Sequence, residues 1–134
     1  MFYDFPLAIP RNTLASAPVQ LEAVLVPGVV TRVELVFPRG CFGLAHVQIW
    51  EANHQLWPSN PDEDFAADDE VLRWSEEQPL TLAGATLTLK GWNDDDAYQH
   101  TVRCRFAVTE HSAFERQVQA QRALAYLARW FEDQ

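Results

Sequence analysis

Short runs of strict apolar–polar alternation, each closed by proline or glycine, constrain this chain more than any other feature of it. Val30–Phe37 places Val33, Leu35 and Phe37 on one side and Arg32 and Glu34 on the other. Gly43–Glu51 alternates Ala45, Val47 and Ile49 with His46, Gln48 and Trp50, and His100–Val108 alternates Val102, Cys104, Phe106 and Val108 with Thr101, Arg103 and Arg105. Val19–Val26 and Ala85–Trp92 repeat the pattern. A period of two is that of a strand with one buried face. Pro27-Gly28 and Pro38-Arg39-Gly40 are turn signals between the runs. Many short strands so punctuated predict a mainly β fold, an antiparallel β-sandwich, jelly-roll-like, spanning residues 19–109. Ala85–Trp92 and His100–Val108 read as a hairpin with an acidic tip at Asn93–Asp96.

Both ends depart from this period. Residues 1–18 are apolar but broken by Pro6, Pro10 and Pro18, which forbid a regular helix. They predict an extended N-terminal arm that must lie on its own domain or on a neighbour. Residues 110–134 change to a helical period. Ser112 and Glu115 stand at capping-box spacing, and an amphipathic C-terminal helix from Ala113 to Glu132 would be roughly 30 Å long. Ala120, Ala123, Leu124, Leu127, Ala128, Trp130 and Phe131 share one broad face. That face is wider than packing on one sheet requires, so the helix is expected to touch its own domain and a neighbour. Phe2, Phe5, Leu7, Leu124, Leu127, Trp130 and Phe131 are the candidate interface residues.

Charge narrows the partners. The 134 residues carry 10 Lys and Arg against 19 Asp and Glu, a formal net charge of −9. Nucleic-acid binding needs a phosphate-neutralising surface, which this balance argues against; an anionic membrane is disfavoured for the same reason. The first residues lack a basic n-region followed by an apolar core, so no signal peptide is expected. The expected location is the cytoplasm, or a particle released from it. The two cysteines, Cys41 and Cys104, match no zinc spacing. Cys104 falls on an apolar strand face, where a small buried thiol is ordinary.

Two acidic stretches could carry chemistry. Asp62, Asp64, Asp68 and Asp69 lie in one loop, and Asp94, Asp95 and Asp96 in another. Gathered at one end of a sandwich they would offer calcium its oxygens, although neither has the EF-hand pattern. The bland alternative is a solvated acidic surface. His46, His54, His100 and His111 form no HxH or HxxxH pair. No nucleophile elbow and no phosphate-cradling glycine loop is present, so no catalytic residue and no enzyme activity are expected. Trp50, Trp57, Trp74 and Trp92 either pack at the core edge or present faces to a sugar or an interface. No cofactor is expected beyond the calcium reading.

Arm, sandwich and wide-faced helix together suit a protein that assembles with itself or with other subunits. The expectation is a non-enzymatic structural protein, a virion, phage or other particle component serving as shell, decoration or tail subunit. The alternative is a calcium-assisted or carbohydrate-binding β-sandwich module.

Overall fold

The computed structural model describes residues 1–80, 85–110 and 113–132, with side-chain surroundings in the helix described for 120–129. Strands β1 (Phe2–Ile9), β2 (Val19–Val24), β3 (Gly28–Phe37), β4 (Ala45–Glu51), β5 (His54–Trp57), β6 (Glu70–Pro79), β7 (Thr86–Asn93) and β8 (His100–Glu110) precede one helix, α1 (Ala113–Glu132). The strands form two four-stranded antiparallel sheets, ordered β1-β8-β3-β6 and β2-β7-β4-β5. Partners nest: β1 lies on β8, β2 on β7, β3 on β6 and β4 on β5. Every connection except β4–β5 therefore passes from one sheet to the other.

The alternation read from sequence sets the inward faces. Val33, Leu35 and Phe37 of β3, Val47 and Ile49 of β4, Leu87 and Leu89 of β7, and Val102, Cys104 and Phe106 of β8 are buried in one core. Each fully buried side chain of this size contributes about 1.5–3 kcal/mol relative to exposure. Leu7 and Ile9 of β1 lie directly over Gly91 of β7, where the facing sheet leaves no room for a side chain.

Residues 1–18 begin with β1, which pairs along its whole length with β8. As an edge strand β1 has one partner, so Pro6 leaves no ladder bond unmade on its free side. Residues 10–18 return to β2, with Thr13 bridging Asn93 on the way. The expected hairpin of the last two strands differs. β7 lies between β2 and β4, and β8 between β1 and β3, so their connection crosses between sheets. Alternation is the same in both arrangements, so it could not distinguish them. β6 runs to Pro79, well past the apolar Val71–Trp74, because its register with β3 and not its own burial defines it.

The outer face of the first sheet carries a row of alternating charge. Asp4, Arg105, Glu34 and Arg73 are successive register partners across β1, β8, β3 and β6. Glu34 is 5% exposed and contacts Arg73 at 2.8 Å, Arg32 at 3.3 Å and Arg105 at 3.8 Å.

The helix spans Ala113–Glu132 as its period predicts. Every residue from Ala120 to Arg129 is exposed, around the whole circumference, so these turns lie on neither sheet. Ser112 and the side chains of Glu115, Trp130 and Phe131 lie outside the described residues, as do His111 and the 81–84 segment. Among the described residues no helix is long and apolar enough to cross a membrane.

Candidate functional site

One end of the sandwich is built from the β3–β4 and β7–β8 connections, and each is fixed by an aspartate. Asp68 Oδ1 accepts the backbone N–H of Gly40 at 2.8 Å and of Phe42 at 3.0 Å. These bonds hold a loop that turns through the left-handed region, with φ of 104° at Gly40, 48° at Phe42 and 73° at Gly43. The Phe42 amide, followed by those of Gly40 and Cys41 and by the Arg39 charge, holds the Asp68 carboxyl below its ordinary value against the opposing effect of burial.

Asp95 does the same for the facing loop. Its Oδ1 accepts from the amides of Ala97 at 2.8 Å and Tyr98 at 3.1 Å, and its Oδ2 meets His100 Nε2 at 2.8 Å. Asn93 completes the knot: its Oδ1 accepts the Asp95 amide, and its Nδ2 donates to the carbonyls of Ile9 and Tyr98. The Ala97 amide, then His100, depress the Asp95 carboxyl, with the Tyr98 amide adding to them. Asn93, Asp95 and His100 are all buried.

Between the two loops lies a cleft of about 440 Å³ lined by Arg39, Gly40, Phe42, Asp95, Tyr98, Gln99 and His100. Phe42 is 76% exposed and Tyr98 70%, so the fixed loops present two aromatic rings to solvent. Cys41 is buried, and burial, then the Asp68 and Asp95 carboxylates, push its thiol up to about 11. It is therefore no nucleophile at neutral pH. Both cysteines are free, and Cys104 is raised by burial to about 12.

The two acidic loops meet at a second place. His46 Nδ1 lies 2.6 Å from Asp64 Oδ1 and its Nε2 lies 2.9 Å from Asp94 Oδ2, with the ring stacked on Trp92 at 5.3 Å. Asp64 and Asp94 thus converge on an imidazole, while Asp68 and Asp95 are engaged by backbone amides. Asp62 lines a smaller cleft with Trp50 and His54, and Asp69 and Asp96 make no side-chain hydrogen bond among the described residues. Within those residues no group of three or more His, Cys, Asp or Glu is arranged to hold a metal.

The four strand tryptophans, Trp50, Trp57, Trp74 and Trp92, are partnered. Trp57 packs edge-on against Trp74, which also stacks on Phe65, and Lys90 Nζ sits 3.8 Å above the Trp50 ring. Of the candidate interface residues, Leu7 is in the core and Phe5 packs between Tyr3 and Phe106. Phe2, Leu124 and Leu127 are exposed, and the Trp130 and Phe131 side chains lie outside the described residues. Reasoning from sequence missed the cleft. Its one local signal is the turn chemistry of Pro38-Arg39-Gly40 and Asn93–Asp95, where short polar side chains bond nearby amides.

No protein-family model matches the chain, and no curated protein matches it. A solved structure of Bacillus endospore appendages, described as forming a novel family of disulfide-linked pili, is similar over 81% of this chain and 89% of that chain. The identity is 9% and the TM-score 0.28, too low to carry an argument about this chain.

Proposed function

We propose that this chain is a non-enzymatic, self-associating structural subunit built on a jelly roll, a component of a virion, phage or comparable particle. The nested strand pairing supports the jelly-roll reading, since a long hairpin rolled into two sheets pairs its strands in this order. Fold alone does not assign a task. The observation that carries the proposal is the state of α1: Leu124 is 66%, Tyr126 71% and Leu127 50% exposed, with no sheet beneath them. Most helical stability in proteins comes from packing an amphipathic face and not from propensity, and burying these apolar residues against a second copy would stabilise the helix by roughly 25 cal/mol per Å². In this reading the sandwich is the rigid body and the helix the joint.

Light scattering on the intact chain tests it. The expected result is a discrete multimer, indifferent to calcium and chelator, which Leu124→Asp with Leu127→Asp converts to a monomer whose β circular-dichroism signal is retained and whose thermal transition no longer depends on concentration. A wild-type monomer at every concentration overturns the proposal.

A further inference from the structure

We infer that the cleft between the β3–β4 and β7–β8 connections is a binding site for a neutral saccharide. This rests on the cleft and its loops, not on the assembly role of the helix.

The shape comes first. A volume of about 440 Å³ is within the range of small-ligand pockets, which run roughly 300–1,000 Å³. Its two lips each carry an aromatic ring, Phe42 on one and Tyr98 on the other, and both rings are mostly in solvent. Neither ring supports the core. Both backbones are nonetheless held firmly. Phe42 keeps a left-handed φ, costly for a bulky residue, because Asp68 binds its amide. Tyr98 is held at its amide by Asp95 and at its carbonyl by Asn93. Rigid loops that display apolar rings beside a cleft suit a ligand that offers an apolar face.

The polar lining decides the rest. Arg39 makes no side-chain hydrogen bond or ion pair among the described residues, and Gln99 makes none from its amide. His100 is committed only through Nε2, to Asp95, and its Nδ1 has no hydrogen-bond partner among those residues. The cleft therefore offers donors at Arg39, both functions at Gln99 and the uncommitted ring nitrogen of His100. Hydroxyl groups, which donate and accept at once, match that mixture. An anion does not: it would face the Asp95 carboxylate in the lining, on a chain of net charge −9. A purely apolar ligand would leave Arg39 and His100 desolvated without partners. A pyranose ring, with its C–H face and its hydroxyl rim, fits both the lips and the lining.

Saturation-transfer NMR on the intact chain tests this, with glucose, galactose, mannose, N-acetylglucosamine and their common disaccharides as probes and glucuronate as the charged control. At least one neutral sugar is expected to bind, with Kd on the order of 1 mM. Tyr98→Ala and Phe42→Ala should each weaken it at least ~10-fold and Gln99→Ala about tenfold, with an unchanged thermal transition. Should Phe42→Ala disturb its strained loop, Tyr98→Ala decides alone, because that ring is exposed and residue 98 makes its hydrogen bonds, among the described residues, through its main chain. Transfer from no neutral sugar, transfer undiminished in Tyr98→Ala, or tighter binding of glucuronate than of glucose would each overturn the inference. None of these outcomes bears on the multimer expected by light scattering.

Discussion

Glu34 accepts a hydrogen bond from Arg73 Nε at 2.8 Å across the β3–β6 pair, although Glu34 is almost wholly buried and the arginine is more than half exposed. Arg32 and Arg105 close over the same carboxylate. The burden is asymmetric: any one arginine can rehydrate, whereas the carboxylate depends on all three. Arg73→Ala should therefore cost no more than about 1 kcal/mol. Glu34→Ala, which removes the centre of the row, should cost about 1–3 kcal/mol. Urea unfolding midpoints at constant m-value separate the two. Equal losses would mean that the row works only as separate surface pairs.

Acid should loosen the cleft end first. Asp68 and Asp95 are both held below the ordinary carboxylate value, chiefly by the Phe42 amide and the Ala97 amide respectively. A folded-state value below the unfolded one means the stabilisation is complete above about pH 4. It fades as pH falls through the folded value, where protonation removes the acceptor. Asp68→Asn and Asp95→Asn abolish this linkage. Each variant should lie below wild type in Tm at neutral pH, and the gap should narrow by about pH 3. A gap that is constant with pH would show that these carboxylates are not linked to folding.

How much of this was legible depends on range. The inward faces of β3, β4 and β8 follow from period two because burial acts residue by residue, and Phe106 or Ile49 need no distant information to be placed. The crossing between β7 and β8 was not legible. What fixes it is Asn93 reaching the Ile9 carbonyl on β1, a partner far away in sequence. The extended segment at the start could be read only as apolar and non-helical; its pairing with β8 is a choice among edges that composition does not encode. The acidic loops stand out in the sequence by composition, but what organises them in the fold is amide binding by Asp68 and Asp95 and the imidazole of His46. Phe42 and Tyr98 are isolated aromatics in the sequence, and only the topology makes them two lips of one cleft.

The thiols should be silent in the native protein. Cys41 and Cys104 are fully buried, with values raised from the ordinary 9.0 to about 11 and about 12. Thiolate is the reactive form, so the Cys41 rate should fall at least ~100-fold below that of a free cysteine, and burial slows it further. An aromatic disulfide reagent at about pH 8 should titrate neither thiol before urea is added, and both afterwards. Rapid labelling of Cys41 in folded protein would show that the 38–44 loop opens without global unfolding.

Two glycines should respond differently to the same added methyl. A Cβ at Gly28 would stand 2.2 Å from the Thr109 carbonyl oxygen and 3.1 Å from Glu110 Cα, all backbone of the paired strand β8. No rotamer can relieve that, so Gly28→Ala should cost about 2–3 kcal/mol. A Cβ at Gly91 would instead meet side chains, with Ile9 Cδ1 nearest at 2.7 Å. Gly91→Ala should cost about 1–2 kcal/mol, and its main clash is with an atom that Ile9→Val deletes. Ile9→Val alone should destabilise by about 0.5–1.5 kcal/mol through the small void it leaves. In the Gly91→Ala background that void receives the new methyl, so the second substitution should cost less or become stabilising. A double-mutant cycle in urea reads this coupling directly. Strict additivity would place β1 and β7 farther apart than the contact between Ile9 and Gly91 requires, whereas the same Ile9→Val change should leave the Gly28→Ala loss untouched.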